Sequence, residues 1–257
     1  MSKRREFFKK SLLTGALVGF AGLNLEAKLL DENELEKEFN DFFKPFLNEL
    51  EKESKILSQN DRALVILASL IANQSEHLNE FLEANLGKNL SLIDAREVLF
   101  QSVAYVGFAK VKGAFLTFKE FFEDKRLEKG STTNAKNRQE KGYALQIKTF
   151  GERIKKAYEN ASPDTRHINR LLSANCFGDY YTRKGLDMRQ REIITFAFLA
   201  SLGDCENQLK GHTQGNLKVG NDRGILIATL TALIAFNGYP RTLNALNVVN
   251  EVTKEEK

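Results

Sequence analysis

Apolar positions recur at helical spacing along most of this chain. Ile193, Ile194, Phe196, Ala197, Leu199 and Ala200 follow alternating steps of one and two, an apolar helix pattern that runs into Gly203-Asp204. Phe39, Phe42, Phe43 and Phe46 place one apolar stripe on the charged segment from Leu30 to Leu57, which predicts an amphipathic helix. A further helix is predicted from Tyr143 to Asn160. Ser162-Pro163-Asp164 then punctuates the chain, and another helix leads to Cys176. Gly178 and Gly185 mark turns in the FGDYYTRKGL stretch that follows. Runs of Val and Ile sit in helix-length segments, and no alternating pattern suggests a strand. The expectation is an all-α protein.

The pattern also repeats. Residues 96–115, REVLFQSVAYVGFAKVKGAF, lie over residues 227–246, IATLTALIAFNGYPRTLNAL, at an offset of 131. Leu99/Leu230, Ala104/Ala235, Gly107/Gly238 and Ala114/Ala245 are identical, and Tyr105/Phe236 and Lys110/Arg241 are conservative. Upstream, Asp61-Arg62 lies over Gln190-Arg191, with Ala68/Ala197 and Leu70/Leu199, at an offset of 129. Two amphipathic helices align by chance more easily than a shared aromatic-x-Gly-aromatic turn followed by a basic residue and an alanine. Two degenerate copies of one helical unit are therefore expected, residues 28–124 and 143–257. The polar stretch 125–142, with Gly130, Ser131, Thr132 and Thr133, reads as the linker between them.

Charge narrows the partners. The net charge of +4 is concentrated at the N-terminus: five of the 38 basic residues and two of the 34 acidic ones fall in the first 27 positions. The rest is close to neutral, so nothing supports a nucleic-acid partner. Lys3, Arg4 and Arg5 precede Phe7 and Phe8, and the apolar run Leu12 to Gly22 is too short to span a bilayer comfortably. With Ala27 as a small residue at a cleavage point, residues 1–27 read as an export signal peptide, and Arg4-Arg5 resembles the bacterial twin-arginine type. The expected partner is the export machinery and the expected location is the periplasm, where thiols meet an oxidising environment.

Two cysteines, Cys176 and Cys205, do not make a disulfide scaffold, and three histidines form no metal-ligand cluster; no cofactor motif stands out. Cys205 and His212 are seven residues apart, close to two turns of one predicted helix, which puts them on one face with Gln208 between them. The same spacing separates them by about 10.5 Å along the axis, so a relay through Gln208, a water or a neighbouring helix is expected rather than direct contact. A helix start favours thiolate at Cys205, while Asp204 and Glu206 oppose it. Read singly, Cys205 is equally a small buried hydrophobe, His212 a packing residue and Glu192 an exposed acid or the ion-pair partner of Arg191. In the first unit Gln74, His77 and Phe81 stand where the second has Cys205, Gln208 and His212, so that copy is expected to shape rather than react.

The REIIT opening, the Cys-x-x-x-x-x-x-His frame and the FNGYPRTLNAL close together resemble the carboxymuconolactone decarboxylase family, which includes alkylhydroperoxidase D. Phe177 to Leu186 resembles the element that precedes this core. The resemblance implies a fold of helical units in closed oligomers, with a trimer favoured for a fused pair. It also implies a proton relay in which Glu192, Cys205 and His212 take part. The redox members carry Cys-x-x-Cys-x-x-x-His, and Gln208 stands at the second cysteine position here. The leading expectation is thiol-dependent, peroxidase-like antioxidant activity with Cys205 as nucleophile and His212 and Glu192 in proton transfer. Cys176 or an external thiol reductant would resolve the oxidised cysteine. Tyr181 and Arg183 are candidates to line the small-molecule site, Arg183 as a carboxylate clamp or a surface residue. Two other readings stand beside it: decarboxylation or isomerisation of a small lactone acid with His212 as general acid/base, and a non-enzymatic binding or assembly protein.

Overall fold

A computed structural model describes residues 34–123 and 125–254, so the expected signal with Arg4 and Arg5 lies outside the described residues. Among the described residues every regular element is helical, apart from one isolated bridge between Leu86 and Leu90. The order is α1 (Glu34–Glu53), α2 (Gln59–Ala72), α3 (Leu78–Asn85), α4 (Leu92–Val106), α5 (Phe108–Phe122), α6 (Arg138–Phe150), α7 (Arg153–Glu159) and α8 (Arg166–Leu171). A π-helical segment (Leu172–Tyr181) then leads to α9 (Met188–Leu202), α10 (Glu206–Lys218) and α11 (Arg223–Lys254). The all-α expectation holds.

Side chains fix the helix starts. Ser58 accepts from the Asp61 amide at 3.0 Å and Asp187 from the Gln190 amide at 2.7 Å, each satisfying a donor that has no partner inside its helix. Ser91 and Asp94 form a reciprocal capping box on α4. The caps Ser58 and Asp187 open α2 and α9, whose residues are buried almost all round. Such helices belong at the centre of a fold. They pack on each other there, with Ser201 Oγ bonded to Ser69 Oγ at 3.0 Å.

One core joins both halves of the chain. Leu64, Leu67, Ile71 and Val98 share it with Ile193, Ile194, Phe198 and Leu233. Each such side chain contributes roughly 1.5–3 kcal/mol on burial. Matching backbone features also fall in both halves. Gly107 (φ 86) separates α4 from α5, and Gly238 (φ 71) breaks α11 in the same way. Pro240 then sits in the first turn of the second half of α11, where a missing N–H costs nothing. Gln74 and Asp204 both adopt φ 53, a left-handed conformation unusual for residues with a side chain.

Four details differ from the sequence expectation. The helix expected over 143–160 is two helices, because Gly151 takes φ 79 and turns the chain between α6 and α7. Among the described residues the opening helix ends at Glu53 rather than Leu57. The stretch 125–142 is no free tether: α6 already starts at Arg138, and the residues before it are strapped down. Lys184 N donates to Gly130 O at 2.9 Å, Thr132 Oγ1 to Thr182 O at 2.8 Å and Thr133 Oγ1 to Gly178 O at 2.7 Å. Gly178 marks no turn but a close approach. It lies inside the π-helical segment, and a Cβ there would come within 2.1 Å of Arg138 O, as one on Gly142 would within 1.9 Å of Ser173 O. These two glycines let α6 lie directly on the segment that carries Cys176 and Tyr181.

Candidate functional site

Glu192 on α9 and His212 on α10 face each other. His212 Nδ1 lies 2.9 Å from Glu192 Oε2, the carboxylate fully buried and the imidazole 12% exposed. Gly215, one turn beyond His212, makes this possible: a Cβ there would sit 2.5 Å from Glu192 Oε2 and 2.9 Å from Phe150 Cε1. Asn216 stitches the two helices, its amide donating to Glu192 O at 3.0 Å and to His212 O at 2.8 Å. The imidazole is held edge-to-face by Tyr105, with ring centres 5.6 Å apart, and by Phe150, 5.2 Å apart. A carboxylate only accepts, so Nδ1 presents its N–H to Glu192 and Nε2 is the nitrogen left for exchange with a substrate. Glu192 Oε1 has no hydrogen-bond partner among the described residues.

The π-helical segment brings a thiol and a phenol to the same place. Cys176 Sγ donates to Tyr105 Oη at 3.5 Å, and Tyr105 Oη donates to Tyr181 Oη at 3.0 Å. Tyr181 Oη pairs with Thr195 Oγ1 at 2.5 Å, which also accepts from Gln101 Nε2 at 2.8 Å. Gln101 Oε1 in turn accepts from Arg191 Nη1 at 2.9 Å. Burial pushes the Cys176 thiol up to about 12, the bond to Tyr105 pulls it down, and the charge of Glu192 adds to the rise. Burial likewise pushes the phenols of Tyr105 and Tyr181 well above their ordinary value. These groups are neutral donors at any physiological pH.

The sequence candidates divide into those the fold gathers and those it separates. Glu192, His212, Cys176 and Tyr181 converge. Cys205 does not share a helix face with His212. It is the N-cap of α10 with φ −141 and ψ 41, outside the helical turn, and its Sγ donates to Leu199 O at 3.3 Å. It lines a separate open pocket with Ala200, Gly203, Leu209, Arg241 and Asn244. The thiolate expectation also fails there: burial, then Glu206 and Asp204, push Cys205 up to about 11. Gln208 is exposed, and no side-chain hydrogen bond among the described residues links it to Cys205 or His212. Arg183 is no surface residue, and the carboxylate it clamps is the protein's own. Its fork grips fully buried Glu97, Nε to Oε2 at 2.8 Å and Nη2 to Oε1 at 3.0 Å, and it lies over the Phe100 ring. Arg191, which the sequence could pair with Glu192, pairs with Glu97 instead, 3.2 Å from Oε2.

Arg153 was not foreseen. Its guanidinium lies over Phe150, 5.2 Å from the ring centre, and donates to Gln214 Oε1 at 2.9 Å and Gly211 O at 3.4 Å. It makes no ion pair among the described residues. Burial lowers its pKa and the charge of Glu192 raises it, and Phe150 touches both its guanidinium and the His212 ring. No group of three or more His, Cys, Asp or Glu among the described residues could hold a metal ion. The arrangement suits proton transfer: a fixed imidazole with one free nitrogen, a buried carboxylate behind it, and a cation at the rim.

Comparison with known proteins agrees with this part of the chain. Residues 167–251 match the model of the Carboxymuconolactone decarboxylase family. A 4-carboxymuconolactone decarboxylase from Acinetobacter baylyi is 24% identical over 123 residues, which is 48% of this chain and 91% of that protein. The family match spans Cys176, Glu192, Cys205 and His212 but ends short of Tyr105, Phe150 and Arg153.

Proposed function

We propose that this chain decarboxylates or isomerises a small lactone acid, with His212 as general acid/base. The observation that carries this reading is the 2.9 Å contact between His212 Nδ1 and a fully buried Glu192 carboxylate, which occupies one ring nitrogen and leaves the other for proton exchange. In a decarboxylation, the bond between the substrate carbon and its carboxylate breaks and the electron pair moves toward the conjugated carbonyl as CO2 leaves. The conjugated carbanion then takes a proton from Nε2 of a His212 imidazolium that has drawn that proton from solvent, while the Glu192 carboxylate balances the charge at Nδ1. Isomerisation uses the same nitrogen first as base and then as acid. Arg153 at the rim supplies a positive charge for an acidic substrate. The similarity to a 4-carboxymuconolactone decarboxylase supports the same chemistry.

A second reading, hydroperoxide reduction at Cys205, rests on the half-buried Sγ that opens on the pocket beside Arg241. A thiol pushed up to about 11 is a poor nucleophile at neutral pH, so proton transfer is the better supported of the two.

The equivalent conformations of Gly107 and Gly238 support descent of the two halves from one unit, of which the second keeps the acid/base pair. Phe108 and Tyr239, which follow the two matched glycines, are both exposed, and they support assembly of this chain through these faces, with the trimer taken from the family resemblance. Export by the twin-arginine-type signal is part of the same reading. Light scattering tests the first and N-terminal sequencing of the mature form the second.

The reaction is tested by CO2 release from 4-carboxymuconolactone. Wild-type protein should turn over, and His212→Ala and Glu192→Gln should each lose about 10²–10⁴-fold, the contribution of a positioned acid/base. Undiminished turnover in both variants would reject the assignment. Ligand binding without turnover in wild type would favour a binding protein.

A further inference from the structure

We infer that Tyr105, a residue of the first helical unit, is a positioning residue of the His212–Glu192 centre, so that this centre is built by both halves of the chain. Part of the argument rests on the acid/base reading above; the geometric part does not. Tyr105 ends α4, two residues before Gly107, and its ring meets His212 at 5.6 Å with planes 79° apart. It is the contact from the first half that bears directly on the imidazole. The Glu192 bond fixes one edge of the His212 ring, and a ring held on one edge can still swing about that bond. Tyr105 and Phe150 both pack T-shaped against the ring and oppose that swing.

Tyr105 is itself fixed at its far end. Its hydroxyl accepts from Cys176 Sγ and donates to Tyr181 Oη, and that chain continues through Thr195 and Gln101 to Arg191. Arg191 can only donate, so Gln101 presents its oxygen to Arg191 and its NH2 to Thr195. The anchor is thus donated into from both ends: Cys176 and Tyr105 donate toward Tyr181, Arg191 and Gln101 donate toward Thr195, and Arg191 is held by a buried ion pair with Glu97. The sequence carries a matching asymmetry. At the repeat offset, Phe236 occupies the position of Tyr105 and has no hydroxyl with which to join such a chain. The first unit, which lacks both Cys205 and His212 equivalents, has thus kept one chemical group that serves the centre of the second.

The test compares Tyr105→Phe, Tyr105→Leu and, as a control for the loss of a core ring at the matching position, Phe236→Leu. The first readout is the 15N–1H spectrum of the His212 imidazole in the intact protein, which reports tautomer and ring motion without any substrate. Wild type and Phe236→Leu should show one Nδ1-protonated ring with a slowly exchanging proton. Tyr105→Leu should show mixed tautomers and fast exchange, and Tyr105→Phe an intermediate state. The second readout is turnover: kcat should fall about tenfold in Tyr105→Phe and about a hundredfold in Tyr105→Leu, with KM little changed, the scale of a misplaced catalytic group. An unchanged His212 spectrum in Tyr105→Leu would overturn the inference even if His212→Ala abolishes turnover. An altered spectrum in a protein that never turns over lactone acid would uphold Tyr105 and reject the reaction. A spectrum disturbed as much in Phe236→Leu would also overturn it, since the effect would then be general loosening of the core.

Discussion

Gly215→Ala separates stability from catalysis in this fold. Gly215 lies inside α10, where alanine is favoured by roughly 1 kcal/mol over glycine. The added methyl, however, would sit 2.5 Å from Glu192 Oε2 and 2.9 Å from Phe150 Cε1. Ordinary contact begins near 3.4 Å, so the carboxylate must retreat by about 0.9 Å and the Phe150 ring by about half that. Overpacking of this kind costs about 1–3 kcal/mol. The two effects oppose, and the net change in unfolding free energy should stay within about 2 kcal/mol, with the sign of a loss. Catalysis has no such compensation. The Glu192–His212 bond is 2.9 Å long, and a displacement approaching 1 Å breaks or bends it, which costs on the order of a hundredfold in rate. Urea unfolding and steady-state turnover on the same preparation give both numbers. A variant of near wild-type stability with kcat/KM within about threefold of wild type would refute the claim that this contact drives the chemistry.

Two other perturbations probe the surroundings. Glu97→Gln should destabilise by about 3–5 kcal/mol in urea unfolding, because it leaves Arg183 and Arg191 buried without their carboxylate; a loss under about 1 kcal/mol would show that the pair is not needed. The thiols predict a pH dependence. Both are raised in the fold, Cys205 to about 11 and Cys176 to about 12, so the folded state holds protons that the unfolded chain has released. Their stabilising contribution is complete below the ordinary thiol range and is lost as pH rises toward about 11 and about 12. Iodoacetamide labelling of folded protein should accordingly be slow at neutral pH, rise with pH, and reach half-exposed Cys205 before buried Cys176; rapid labelling of Cys205 at neutral pH would instead restore the thiol reading.

Features governed by local physics were legible in the sequence. Apolar spacing located α9, Gly203 ended it, and the repeat placed Gly107 and Gly238 at equivalent breaks. Glu192 and His212 were identified by the motif that surrounds them. The errors came where the chain departs from its local pattern or where partners are remote. A helical wheel puts Cys205 beside His212 only if Cys205 is helical, and the left-handed Asp204 rotates it out of the helix. Arg183 looked free because its partner, Glu97, belongs to the other half of the chain. Tyr105 was counted only as a conservative match to Phe236, since nothing local shows that α4 ends against α10. Gly142 and Gly178 offered a signal that went unread: two small residues that allow α6 and the π-helical segment to touch.

The most direct test of the central claim is CO2 release from 4-carboxymuconolactone by a thiol-free protein, Cys176→Ser with Cys205→Ser, measured beside His212→Ala. If proton transfer by His212 against Glu192 is the chemistry, the thiol-free protein should keep its turnover within a few-fold, about the scale of one lost hydrogen bond, while His212→Ala loses it. Turnover that survives in His212→Ala but disappears with the thiols would contradict the account and return the chemistry to cysteine.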